Sequence, residues 1–294
     1  MTCYNPVHGY EKPNGQFTIN GQKGKLRPTT IRCRKCLGCK LTYSREWGAR
    51  IMHQTYTDVN PGMFLTLTYS DDNLPLSERY SDIQQFHWRL RDYIRRKIDK
   101  EQKYKYLAVA EYGPATNRLH YHMAIMNYQA HDLYFWKVNK WKQSYYTSEI
   151  LQKMWGKGWV TIGQLNYMSA CCIARYSVKK DLEEVQFDWK TGEVLSPRLR
   201  CSNGIGKDFA TKYKNEIYAT DYITVPSKYG KLIKQKPPRA YDRWLKLTDE
   251  ELYDSIKHNR YKEMVKADKL LEEELNNMRI NKEAELQYMK RLDI

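Results

Sequence analysis

The sequence predicts an α+β fold: one core domain with an extension at each end of the 294-residue chain. Short apolar runs of strand length recur at residues 63–69, 104–112, 119–126 and 159–163. Segments of helical period alternate with them, at 44–58, 81–99 and 168–180. Strands 104–112 and 119–126 are joined by a loop holding Gly113, Pro114 and Asn117, which suits an antiparallel hairpin. The expected division is a Cys-rich segment over 1–43, a core domain over 44–245 and a charged helical tail over 246–294.

Charge narrows the partners. Lys and Arg number 50 against 34 Asp and Glu, giving +16. Residues 249–294 carry nine basic and twelve acidic side chains, so the body before them carries +19. That body also holds most of the 25 tyrosines and eight tryptophans, and cations interleaved with aromatic faces suit a polyanion with stackable bases. A merely basic protein is the bland alternative. An anionic membrane surface fits less well, because no basic amphipathic anchor is visible. No apolar run approaches membrane-spanning length and Met1–Pro6 begins no signal peptide, so the protein is expected to stay where it is made. Seven cysteines, an odd count with three clustered, point to a reducing compartment.

Residues 1–40 read as irregular, with a small hairpin at Phe17–Gly21 turning on Asn20-Gly21. Cys33, Cys36 and Cys39, with Cys3, supply four thiols, enough for a tetrahedral structural zinc. An iron–sulfur cluster or scattered reduced thiols are the alternatives. Ser44 is the expected N-cap of the first helix, with Trp47, Ile51 and Tyr56 along its inner face. Pro61-Gly62 ends it, and a buried strand runs from Met63 to Tyr69. In helix 81–99, Phe86, Leu90 and Ile94 mark the inner side. Arg89, Arg91, Arg95, Arg96 and Lys97 mark the outer side, a solvated face or a DNA contact.

Strand 119–126 carries His120 and His122 at spacing two, so both imidazoles leave one face. Two rigid nitrogens invite one divalent metal, and the hairpin brings Glu111 alongside as a third ligand. Ordinary polar positions are the alternative. Residues 130–157 read as an aromatic, basic loop with a helix near Ser148–Trp155. In helix 168–180, Tyr176 and Lys180 fall one turn apart, and Lys179 or Lys180 can ease negative charge on a phenolate or phosphate oxygen. A core tyrosine is the alternative for Tyr176. Asp188–Gly192 reads as a hairpin tip and Ser202–Lys207 as a turn and cap without phosphate-loop spacing. Asp221–Val225 reads as a strand, and Lys236-Pro237-Pro238-Arg239 as a break before the tail. The tail has a partial stripe at Met264, Ala267, Leu271, Leu275 and Met278 that Lys282 interrupts, which does not support a long coiled coil.

The stretches Phe64–Tyr69, Glu111–Gly113, Arg118–His122 and Ala174–Lys180 occur in the order of the rolling-circle initiator motifs. Over residues 1–245 the chain resembles the replication initiators of gokushovirus-type microviruses, including their Cys-x-x-Cys-x-x-Cys, Gly-Ile-Gly and Lys-x-Pro-Pro-Arg segments. The resemblance implies an HUH endonuclease, a single antiparallel sheet with packed helices. It implies His120, His122 and Glu111 as ligands of Mg²⁺ or Mn²⁺, Tyr176 as nucleophile, and Lys179 or Lys180 as cationic helper. It implies single-stranded and supercoiled viral origin DNA as substrate, nicked through a 5′-phosphotyrosine bond that leaves a 3′-hydroxyl primer. Host DNA polymerase and helicase are the implied partners, and the cytoplasm of the bacterial host the implied location.

One position departs from the pattern. Many such initiators carry a second tyrosine one turn before the first, where this chain has Cys172. One tyrosine then serves alone, Tyr167 or another residue serves from elsewhere, or a second copy is needed. A non-enzymatic zinc-containing DNA-binding protein is the rival reading of charge, aromatics and cysteines. A plasmid initiator, relaxase or transposase is the rival within the same chemistry.

Overall fold

The computed structural model describes residues 2–21, 25–76, 78–113, 116, 118–139, 142–176, 199–226, 230–266 and 271–292. Chain packing divides it into two units, Met1–Tyr43 with His258–Ile294, and Ser44–Lys257.

The first unit holds a three-stranded antiparallel sheet of β1 (Val7–Glu11), β2 (Phe17–Thr18) and β3 (Arg27–Ile31), ordered β2-β1-β3. Residues read as irregular therefore form a small sheet, whose strands are too short and too evenly half-buried to show alternation. The hairpin turn lies at Asn14-Gly15 rather than Asn20-Gly21, closed by Lys12 N donating to Gln16 O at 2.9 Å. The first helix, α1 (Leu37–Thr57), begins before the expected start. Ser44 is a buried mid-helix residue, and its hydroxyl donates to Cys171 O at 2.6 Å instead of capping.

The second unit is built on a seven-stranded antiparallel sheet, ordered β10-β5-β6-β4-β9-β8-β7. Its strands are β4 (Met63–Thr68), β5 (Lys105–Tyr112), β6 (Leu119–Met126), β7 (Tyr134–Val138), β8 (Ser144–Thr147), β9 (Val160–Gln164) and β10 (Leu199–Cys201). The ribbon β7–β8 replaces the expected loop. Its outer strand is exposed at all five residues, so no in–out alternation marked it.

Each sheet face has its own cover. Leu65, Leu67, Tyr121 and Met123 pack against Phe86, Leu90 and Ile94 of α2 (Tyr80–Lys97) and Leu151 and Trp155 of α3 (Glu149–Trp155). Each of those side chains is essentially dry, worth about 2 kcal/mol of transfer free energy. On the other face Leu107, Val109, Ala124 and Met126 pack against Trp47 and Ile51 of α1 and Ala170, Ile173 and Ala174 of α4 (Tyr167–Tyr176). Tyr56 does not join that face; five residues beyond Ile51, it has rotated outward and is exposed. Helices α1 and α4 meet closely because position 48 is glycine: a Cβ there would stand 2.4 Å from Cys171 Sγ.

A second core gathers α5 (Lys207–Lys212), α6 (Lys214–Thr220), the hairpin β11 (Ile223–Pro226) and β12 (Leu232–Gln235), and α7 (Arg239–Thr248). The turn before α5 is tied down as read, Lys105 Nζ donating to Gly204 O at 3.0 Å and Gly206 N to Gln54 Oε1 at 3.0 Å. The chain closes with α8 (Glu250–Lys266) and α9 (Glu272–Leu292). Ala267 of the tail stripe and the Asp188–Gly192 tip lie outside the described residues. Among the described residues no helix is long and apolar enough to cross a membrane.

Candidate active site

The ladder of the sheet assembles the histidine cluster. Glu111 on β5 stands opposite His120 on β6, while His122 stands opposite Val109 on β5 and Thr66 on β4. Leu119, Tyr121 and Met123 alternate with the histidines and are buried in the opposite face, which turns both imidazoles the other way. Glu111 Oε2 lies 3.1 Å from His122 Nε2 and 3.3 Å from His120 Nε2, and the two nitrogens are 3.2 Å apart. Glu111 is buried rather than a surface strand end.

Neighbours fix the rings. His120 Nδ1 lies 3.1 Å from Arg118 O, which only accepts, so that nitrogen carries the proton and Nε2 offers its lone pair inward. His122 Nδ1 meets Thr66 Oγ1 at 3.0 Å, and its ring stacks on Phe64 with centroids 5.5 Å apart. Arg118 is itself held by donating to Tyr69 O at 2.9 Å and by pairing with Asp71. An octahedral cation with ligands at about 2.1 Å sets adjacent ligand atoms about 3 Å apart. The 3.1–3.3 Å edges fit such an ion, and three protein ligands leave positions for water or a substrate oxygen.

Helix α4 lies on this same sheet face, because Leu107, Val109, Ala124 and Met126 alternate in phase with Glu111, His120 and His122. Its last residue is Tyr176, whose side chain lies outside the described residues, as do Lys179 and Lys180. Cys172, one turn earlier, is half-buried. Tyr167 is unsuited to stand in as a nucleophile: it is buried, its hydroxyl donates to Gln235 Oε1 at 3.1 Å, and burial raises its pKa. The arginine face of α2 lies on the opposite side of the sheet from the histidines. There Arg89 donates to Met154 O at 2.7 Å, and Arg95 and Arg96 both pair with Asp92.

The four N-terminal thiols also converge. Cys3 Sγ lies 3.6 Å from Cys33 Sγ and 3.9 Å from Cys36 Sγ, and Cys33 Sγ lies 4.0 Å from Cys39 Sγ. These are far beyond a disulfide bond of about 2.05 Å and match the edges of a tetrahedron with metal–sulfur bonds near 2.3 Å, about 3.8 Å. Backbone N–H groups of Cys33, Tyr4 and Cys36 point at the sulfurs of Cys3, Cys36 and Cys33, each at 3.3 Å. At Cys36 burial opposes the thiolate, but donors from the Cys39 and Tyr4 backbones outweigh it and draw the pKa down to about 7.

Sequence reasoning found the three sheet residues and the four thiols but missed Thr66 and Arg118, which orient the rings. The signal for Thr66 was present, since Thr66 and Thr68 alternate along β4 at the spacing of the histidines.

Comparison with known proteins agrees with this arrangement. The family of replication-associated proteins of the ORF2 type matches residues 62–181, from β4 through the end of α4. Replication-associated protein ORF2 of Spiroplasma virus 4 is 33% identical over 282 residues, covering 89% of this chain and 86% of its own. Replication-associated protein VP4 of Bdellovibrio phage phiMH2K is 29% identical over 252 residues, covering 84% and 78%. Replication-associated protein ORF4 of Chlamydia phage 1 is 26% identical over 204 residues, covering 67% and 50%. No solved structure matches the chain.

Proposed function

Since the chain belongs to the replication-associated proteins of phages, the ORF2 and VP4 type, we propose that it initiates rolling-circle replication by nicking single-stranded viral origin DNA. The observation that carries this reading is the convergence of Glu111, His120 and His122 on the sheet face that also bears the helix ending at Tyr176. On this reading the fold is of the HUH endonuclease kind.

Glu111 Oε2 and the Nε2 atoms of His120 and His122 would hold Mg²⁺ or Mn²⁺. Bound there, the ion supplies Lewis-acid polarisation of a non-bridging oxygen of the scissile phosphate. Tyr176 attacks the phosphorus in line through its phenolic oxygen. The new bond is a 5′-phosphotyrosine link, the bond to the 3′ oxygen breaks, the phenolic proton departs and the leaving oxygen gains one as a 3′-hydroxyl. Lys179 or Lys180 lends positive charge to the phenolate and phosphate oxygens as charge builds. No water is consumed, so attack by a 3′-hydroxyl on the phosphotyrosine reverses the step and rejoins the strand. The 3′-hydroxyl primes a host polymerase, and the setting is the cytoplasm of the bacterial host. The thiol quartet, closed by four sulfurs, holds a structural zinc rather than a second catalytic ion.

The test mixes purified chain with labelled single-stranded oligonucleotides tiled across the genome that encodes it, with Mn²⁺ or with chelator. A metal-dependent labelled band at protein mass on a denaturing gel is expected, absent for Tyr176→Phe and for Glu111→Gln. DNA binding without a covalent band in any metal would make the protein a DNA-binding module instead of a nuclease.

A further inference from the structure

We propose that Trp159 is a stacking seat for a base of the single strand flanking the scissile phosphate, reached along the cross-strand row Glu111, His120, Thr68 and Trp159. The inference rests on reading the histidine cluster as the cleavage centre and names how that centre grips its DNA.

A lone exposed aromatic is ordinary on a protein surface. Register sets this one apart. Glu111 pairs with His120, and His120 with Thr68. Thr68 and Trp159 exchange both backbone hydrogen bonds, Thr68 N donating to Trp159 O at 2.9 Å and Trp159 N to Thr68 O at 3.1 Å. Residues paired that way project from the same face, so the indole leaves the sheet on the side of the histidines. The next pair, Leu67 and Val160, is buried on the opposite face, in phase with this assignment. Trp159 thus stands two strands from His120, on the order of 10 Å at the usual strand spacing of about 4.8 Å. Only the short side chain of Thr68 stands between them in the row, and Trp159 is 64% exposed.

The position is rigid. Gly158 lets the chain press against the end of β4, since a Cβ there would lie 2.1 Å from Thr68 O and 2.6 Å from Ser70 N. Ser70 N donates to Lys157 O at 2.9 Å, and Trp155 Nε1 donates to Thr68 O at 2.7 Å. The neighbouring cations are engaged: Lys157 pairs with Asp82, and Arg118 with Asp71. A fixed indole in that setting offers a π-face, not charge, and a nucleobase beside a phosphate held at the cluster is the partner that matches it. Stacking of this kind tolerates any base.

The test measures binding by the full chain in chelator, so that no strand is cut, using a fluorescein-labelled oligothymidylate of about thirty nucleotides. Trp159→Ala is expected to bind about tenfold more weakly and Trp159→Phe within about threefold of the parent, both with unchanged thermal midpoints. An abasic scan around the mapped nick then locates the base: the parent loses affinity at one flanking position, and Trp159→Ala is indifferent there. Parent-like binding by Trp159→Ala, or equal abasic losses in both proteins, would overturn the seat while leaving the nuclease intact. A parent protein that forms no covalent adduct would instead overturn the reading of the cleavage centre on which the seat rests.

Discussion

The thiol quartet and the Glu111–His120–His122 cluster differ first in edge length. Sulfur separations run from 3.6 to 4.0 Å, whereas the nitrogen and oxygen edges run from 3.1 to 3.3 Å. The first set fits a tetrahedron of soft ligands and the second a face of an octahedron of harder ones. They differ also in how they are built. The quartet joins residues 30 apart in sequence through short loops and the start of α1, with few strand bonds to hold it. The cluster sits on adjacent strands whose ladder positions every member before any ion arrives. A cation in the quartet therefore contributes to folding, while one in the cluster contributes to chemistry. Four ligands close a site; three leave it open to substrate.

The largest effect expected from this contrast is at Cys39→Ser. Binding a structural zinc is worth roughly 10–16 kcal/mol, so loss of one thiolate should cost on the order of 5 kcal/mol and the bound equivalent of zinc. Metal analysis with calorimetry reads both, and His122→Gln serves as the contrast, keeping its zinc and its thermal midpoint. A Cys39→Ser protein that retains zinc and midpoint would break the distinction between the sites.

Acid sharpens the contrast between histidines that serve the fold and those that serve the site. His53 donates from Nε2 to Thr224 O at 3.2 Å and stacks on Phe209, and burial lowers its pKa to about 4. His87 bonds Tyr104 at 2.8 Å, and burial lowers its pKa to about 3. Both folded pKa values lie below the unfolded value of 6.5, so below pH 6.5 only the unfolded chain takes these protons. Stability is full above that pH and falls as acid is added, until the folded values are reached. Each histidine should cost about 2 kcal/mol between pH 7 and pH 5. Urea midpoints at the two pH values measure it, and no drop would show that these rings are not buried neutral in solution.

The smallest effect concerns Thr66, which touches His122 and no phosphate in this reading. Thr66→Val removes the partner of Nδ1 and should weaken Mn²⁺ binding about tenfold without altering the thermal midpoint. Thr66→Ser should restore most of it. Manganese titration followed by electron paramagnetic resonance reads the affinity directly; equal affinity in the valine variant would mean that the ladder alone orients the ring.

Local pattern made much of this legible. Strand 119–126 was readable end to end, because Leu119, Tyr121 and Met123 alternate with His120 and His122 and period two leaves one face for each set. The inner side of α2 was readable from Phe86, Leu90 and Ile94, and the quartet from four cysteines. The small N-terminal sheet and the β7–β8 ribbon were not, because half-buried or fully exposed strands carry no in–out signal. Ser44 misled for a related reason: a serine before a helical pattern reads as a cap, and only α4 arriving 127 residues later supplies the carbonyl it bonds.

The sequence by itself determined which residues share a face and which chemistry they bring, since side-chain periodicity and residue type are local properties. Tertiary structure alone decided register: that Glu111 faces His120, that Thr66 reaches His122, and that Trp159 joins their row through Thr68. A shift of one residue in any of those pairings would leave every strand recognisable and turn its side chains to the wrong face.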